Sequence, residues 1–121
     1  MSNSPILRHI TSHRMSKVVQ HMGTIYLSGQ TSYGSDLETI EDQTQETLER
    51  IEQLLREAQS DKTRIVSATI FLKRISDFDA MNRVWENWVP EGDAPARTTI
   101  EANLAFPELL VEITVIAATV E

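Results

Sequence analysis

The chain has 121 residues, a net charge of −7 and no cysteine. At this length one domain spanning 1–121 is the natural reading, and it buries roughly two-thirds of the surface its unfolded form exposes, enough for a core without staples. The lack of cysteine excludes disulfides, thiolate catalysis and cysteine-held metals, and the acidic balance disfavours binding of phosphate backbones. No apolar run approaches the roughly 20 residues of a membrane helix. The opening MSNSPILRHITSHRMSK lacks the uninterrupted apolar core of a signal peptide, so a cytoplasmic protein is expected.

In chain order, residues 6–12 read as a strand, followed by SKVVQH (16–21) and TIYLSGQ (24–30). Both are rich in β-branched and apolar residues, and Gly23 marks a hairpin turn between them. The small polar residues of TSYGSDLE form a loop. A helix is expected from about Thr39 to Ala58, because Ile40, Thr44, Leu48, Ile51 and Leu55 recur at three- and four-residue spacing. Glu38, Glu41 and Asp42 lie near its start, where the helix dipole favours negative charge. RIVSATIFLKR (64–74) reads as a strand apolar on both faces, with Ile65, Ser67, Thr69 and Phe71 on one and Val66, Ala68, Ile70 and Leu72 on the other. A second helix is expected with Ser76 as N-cap and Asp79 completing a capping box with Asp in place of Glu, with Phe78, Met81, Val84, Trp85 and Trp88 lining one packing face, and ended by Pro90. RTTIEANL (97–104) and LLVEITVIAATV (109–120) are two further alternating strands around a bend. The order β-β-β-α-β-α-β-β points to an α+β domain, a mixed sheet with its helices on one face. The apolar residues left on the other face call for a cover, and a homo-oligomer would supply it.

Two charges stand out. Glu112 is the only ionised group within a run of apolar and small residues, where a carboxylate needs a partner or a use. Arg97 opens the preceding strand, and its planar fork suits a carboxylate. A plain ion pair between the two is the structural alternative. Ser28-Gly29 ends a strand with a hydroxyl and a backbone that a ligand can approach closely, or simply makes a turn. Asn82 lies among apolar residues of the second helix, as a surface amide or a positioning group. His9, His13 and His21 have no partner at metal-ligand spacing, so no metal site is expected. Arg8, His9, His13, Arg14 and Lys17 form a small basic cluster, read as a solvated region.

Taken together, YLSGQ, TQETLERIEQLLREAQS, SATIFLKRISDF, MNRVW, and PAR followed by LVEITVIA resemble the RidA/YjgF superfamily of small imine deaminases, over nearly the whole chain. The resemblance implies a chorismate-mutase-like fold assembled as a homotrimer with clefts between subunits, and no metal or organic cofactor. It implies that Arg97 binds a substrate carboxylate, that Glu112 orients water, and that Ser28, Gly29 and Asn82 line the site. The expected reaction is hydrolysis of 2-imino acids or enamines to 2-keto acids and ammonia. Two departures bear on the substrate. Thr99 stands where the best-known deaminase branch has cysteine, and Arg14-Met15-Ser16 replaces a Gly-Pro-Tyr segment, so that Arg14 would add a second cation to the cleft and favour a ligand with a second anionic group. A non-catalytic trimer that senses a small carboxylate is the main alternative. An endoribonuclease or translation inhibitor fits the acidic surface poorly, and a mutase would need more cations than Arg97.

Overall fold

The structure is a computed structural model that describes residues 4–120. β1 (Leu7–Thr11), β2 (Ser16–His21) and β3 (Thr24–Leu27) form an antiparallel meander; α1 (Ile40–Glu57), β4 (Ile65–Leu72), α2 (Phe78–Trp88), β5 (Ala96–Glu101) and β6 (Val111–Ala118) follow. The element order is the one expected. The spatial order is β1-β2-β3-β6-β4-β5, in one mixed sheet. Only β4 and β5 pair parallel, since α2 carries the chain back before the strand repeats its direction.

Both helices cover one face. Val18, Ile25, Ala68, Ile70, Ile113 and Val115 pack there against Leu48, Ile51 and Leu55 of α1 and Met81 and Trp85 of α2. The Thr39 hydroxyl caps α1 by accepting from the Asp42 N–H at 3.1 Å. At the other end Gln59 turns left-handed (φ 62°), and the N–H groups of Gln59 and Ser60 close on the Arg56 and Leu55 carbonyls, the paired bonds of a Schellman motif. The two helices are tied together where Trp88 Nε1 donates to Glu52 Oε1 at 3.0 Å. The opposite face is left uncovered by the described residues, and Tyr26, Val66 and Ile100 stand exposed.

Three local expectations change. The capping box at Ser76 does not form: residues Ile75–Asp77 make a separate 3-10 turn, whose Ile75 N–H is capped by Glu101 Oε1 at 2.8 Å. The faces of β4 are not those of simple alternation. Its register with β6 shifts between Ile65 and Ser67, so Ile65 is buried with Ala68, Ile70 and Leu72 while Val66 is turned out. The strand expected over 24–30 stops at Leu27, for a reason that shapes the site.

One buried amide anchors the loops at the end of the sheet where Glu112 lies. Gln43, on α1 and almost fully buried, donates from Nε2 to the carbonyls of Leu37 (3.0 Å) and Glu108 (2.9 Å), and its Oε1 accepts from the Leu110 N–H at 2.8 Å. Gln43→Leu keeps the volume but strands three backbone groups, of which the Leu110 N–H is buried. It should destabilise the fold by about 2–4 kcal/mol, read as a lower urea midpoint at fixed protein concentration; an unchanged midpoint would show that water replaces the amide.

Candidate functional site

Arg97 and Thr99 lie on β5, and their neighbours on β4 decide where they point. Arg97 pairs with Ala68 and Thr99 with Ile70, both buried under the helices, so both side chains are on the helix side of the sheet. There the Arg97 guanidinium lies 5.5 Å from the Trp85 ring centroid and 5.8 Å from that of Phe78, within cation–π range. Burial lowers its pKa from the ordinary value and the nearby charge of Glu86 partly restores it, but an arginine stays protonated at neutral pH. Among the described residues it has no carboxylate within ion-pair distance. Asn82 lies on the same side of α2 as Phe78 and Trp85, one turn from each. Asn82 Oδ1 and Thr99 Oγ1 are both buried without a hydrogen-bond partner. Orphaned buried oxygens are rare in native structures and call for a reason.

Glu112 sits elsewhere. It pairs with Phe71 of β4, which pairs in turn with Ile100 of β5, and all three lie on the face away from the helices. Strand spacing and rise put the Arg97 and Glu112 Cα atoms about 14 Å apart, with side chains on opposite faces. The ion pair allowed by the sequence is therefore absent.

A bulge brings Glu112 against Ser28 and Gly29. β3 pairs with β6 in register from Thr24↔Ala118 to Tyr26↔Ile116, yet Gln30 bridges to Ile113 rather than Glu112, so the β3 side carries one extra residue. The carbonyls this frees are capped by side chains. Thr114 Oγ1 donates to Leu27 O at 3.0 Å, and Gln30 Nε2 donates to Ser28 O at 3.2 Å and to Ser28 Oγ at 3.3 Å. Gln30 and Ile113 exchange backbone bonds of 2.8 and 3.0 Å and close the motif. The Glu112 side chain lies in the space beside Gly29: an added Cβ would fall on its Oε2 and come within 2.9 Å of Cδ and 3.2 Å of Cγ. Glycine is required here by the approach of a side chain, not by its backbone angle. Gly29→Ala should keep the fold, because the end of the Glu112 side chain can swing away, but it should displace the carboxylate. If Glu112 is catalytic, displacement by about 1 Å costs on the order of 10²-fold in turnover; unchanged turnover alongside unchanged circular dichroism would count against the contact.

Arg14 is exposed in the β1–β2 turn, with β3, β6 and β4 between its hairpin and β5. It lies toward the end of the sheet that carries Ser28, whose N–H donates to Lys17 O at 3.0 Å. The structure thus gathers Ser28, Gly29 and Glu112 in one group and Arg97 with Thr99 beneath the Asn82 face of α2 in another, and it does not bring the two together within one chain. Two surface depressions, of about 280 Å³ around Gln20, His21 and Gly23 and about 250 Å³ around Lys17, Gln30 and Arg50, contain neither Arg97 nor Glu112. No metal-holding group of His, Asp or Glu exists among the described residues, nor a helix long and apolar enough to cross a membrane. Sequence reasoning missed Gln30 and Thr114, because a bulge leaves no mark in strand alternation. It placed Phe78 and Trp85 on a packing face, where their spacing to either side of Asn82 was the available signal.

Comparison with known proteins identifies the family and the fold. Residues 7–119 match the Endoribonuclease L-PSP family. The RutC family protein YoaB of Escherichia coli is 42% identical over 113 residues, covering 93% of this chain and 97% of that protein. A RutC family protein of Haemophilus ducreyi is 38% identical, over 93% of this chain and 96% of its own. The crystal structure of a YjgF-family member from Neisseria meningitidis superposes with a TM-score of 0.93 at 38% identity, covering 97% of both chains. YyfA of Yersinia pestis, described as a Rid-family protein, gives 0.84 at 31% identity over 90% of both. With its mixed sheet, its two helices on one face and this family match over residues 7–119, the chain belongs to the Endoribonuclease L-PSP family, the YjgF, RutC and Rid proteins.

Proposed function

We propose that the protein hydrolyses the C=N bond of 2-imino acids and their enamine tautomers, giving 2-keto acids and ammonia, in clefts shared between copies of the chain. The observation that carries this reading is the division of the site. A partly buried arginine with no carboxylate within ion-pair distance among the described residues sits on one face, and a carboxylate held beside Gly29 sits on the other. A ligand touching both must lie between the Arg97 group of one copy and the Glu112 group of the next. The exposed apolar residues of the free sheet face, Tyr26, Val66 and Ile100, give the copies a surface to pack through. A closed homotrimer repeats that contact three times, forming a cleft at each.

In such a cleft Arg97 holds the substrate carboxylate by two parallel N–H donors, which places the imine carbon. Glu112 of the neighbouring copy takes a proton from water as the oxygen adds to that carbon. The carbinolamine then loses ammonia after its nitrogen is protonated, and C2 becomes the keto carbon. R–C(=NH₂⁺)–COO⁻ and water give R–CO–COO⁻ and NH₄⁺, so no electrons, metal or cofactor enter the balance. Ser28 and Gly29 set the position of Glu112. Arg14, at the same end of the sheet, would join from the copy that supplies Glu112. Cleavage of RNA fits less well, since a net charge of −7 repels a phosphate backbone.

The test is competition. An amino-acid oxidase generates 2-imino acids while semicarbazide traps them, and the protein should suppress semicarbazone formation. Failure to do so with any imine, combined with binding of 2-keto acids, would leave a carboxylate receptor in place of an enzyme.

A further inference from the structure

The hydrogen bonds of Gln30 decide which way the Ser28 hydroxyl faces. Gln30 is buried, and its backbone N–H and carbonyl are both held by Ile113. Its Nε2 reaches Ser28 O at 3.2 Å and Ser28 Oγ at 3.3 Å. A carbonyl can only accept, so the amide must present its NH₂ group here and not its oxygen. The Ser28 hydroxyl therefore accepts from Gln30, and its own proton is left to point elsewhere. The carbonyls of its chain neighbourhood are already taken, Ser28 O by Gln30 and Leu27 O by Thr114 Oγ1. Among the described residues the Ser28 hydroxyl donates to none. It stands half-buried next to Gly29, the residue that Glu112 lies against, as a donor without an acceptor.

Resting on the hydrolysis proposed above, we infer that Gln30 is a positioning residue, which keeps the Ser28 O–H as a hydrogen-bond donor for the oxygen that arrives at C2 of the substrate. The iminium nitrogen carries protons and no lone pair, so it offers a donor nothing to bind. Once water has added, C2 bears an oxygen with lone pairs, and in the 2-keto product that oxygen is a carbonyl. The contact with Ser28 is thus made after addition and not with the bound imine, and it assists turnover more than substrate binding. No proton changes hands at Ser28, and Glu112 remains the base.

Ser28→Ala, Gln30→Met and the double variant test this, in protein whose circular dichroism matches wild type. Each single variant should lower kcat in the semicarbazide competition assay about tenfold, the worth of one hydrogen bond, with KM for the imine unchanged. The double variant should lose no more than Ser28→Ala does, because Gln30 acts through the hydroxyl. By calorimetry, pyruvate, which has the C2 oxygen, should bind about tenfold more weakly to each variant, whereas propanoate, which lacks it, should bind as it does to wild type. Displacement of Glu112 alone would lower kcat without separating these two ligands. Gln30→Asn, one carbon shorter and out of reach of Ser28, takes the place of Gln30→Met if that variant folds poorly. Losses that multiply in the double variant would show that Gln30 holds the loop and not the hydroxyl, and would overturn the inference. Wild-type turnover and pyruvate affinity in Ser28→Ala would overturn it as well, while hydrolysis by Arg97 and Glu112 stands. A wild-type protein that neither suppresses semicarbazone formation nor binds pyruvate removes the reaction itself, and the inference with it.

Discussion

Glu112→Gln should lower imine hydrolysis by about 10²–10⁴-fold, the usual contribution of a positioned acid–base group, and leave 2-keto acid binding unchanged. The amide keeps the shape of the side chain beside Gly29 but cannot accept a proton from water. Arg97→Ala should act on binding instead. A charge-assisted bidentate contact is worth roughly 2–3 kcal/mol, so affinity for 2-keto acids should fall about 10²-fold. The semicarbazide competition assay reads the first effect and calorimetry the second. The split matters because the proposed mechanism gives each residue a different step. Turnover retained in Glu112→Gln would remove the carboxylate from the mechanism. Unchanged keto-acid binding in Arg97→Ala would leave the guanidinium, held by Phe78 and Trp85, as a packing element only.

Mixing the two inactive variants should restore activity. Arg97 and Glu112 lie on opposite faces about 14 Å apart, so the proposed cleft draws one from each of two adjacent copies. When Arg97→Ala and Glu112→Ala chains are refolded together in equal amounts, random assembly makes about one cleft in four from an intact Arg97 and an intact Glu112. About a quarter of wild-type turnover is the expected result, where either variant alone gives almost none. A site made within a single chain would show no recovery in the mixture. Light scattering on the same samples checks that mixed oligomers have formed, so that absent assembly is not mistaken for absent complementation.

How much of this was legible beforehand varied by element. α1 and α2 followed from spacing that a single helix imposes on its own residues, because a helix satisfies its backbone locally and buries one stripe. Glu112 was marked by its setting, a lone charge in β6. Arg97 was marked by its residue type, but its direction was misleading. In RTTIEANL the apolar set is Ile100, Ala102 and Leu104, and the usual reading turns Ile100 to the core and Arg97 to water. The structure does the reverse: Ile100 is exposed on the free face, and Arg97 lies under Phe78 and Trp85.

By itself the sequence determined the order of elements, the mixed character of the domain, its family resemblance and the residue types available for chemistry. All of these rest on local periodicity or on motifs read in line. Tertiary structure alone decided the faces. Strand alternation repeats every two residues, so a one-residue change of register moves every side chain across the sheet. Two such changes, at Val66 and at Ser28-Gly29, together with the parallel pairing of β5 on β4, placed Glu112 beside Gly29 and Arg97 on the far side. Pairing register is a relation between distant segments, settled by how well the whole sheet buries its apolar face, and for that reason no single strand announces it.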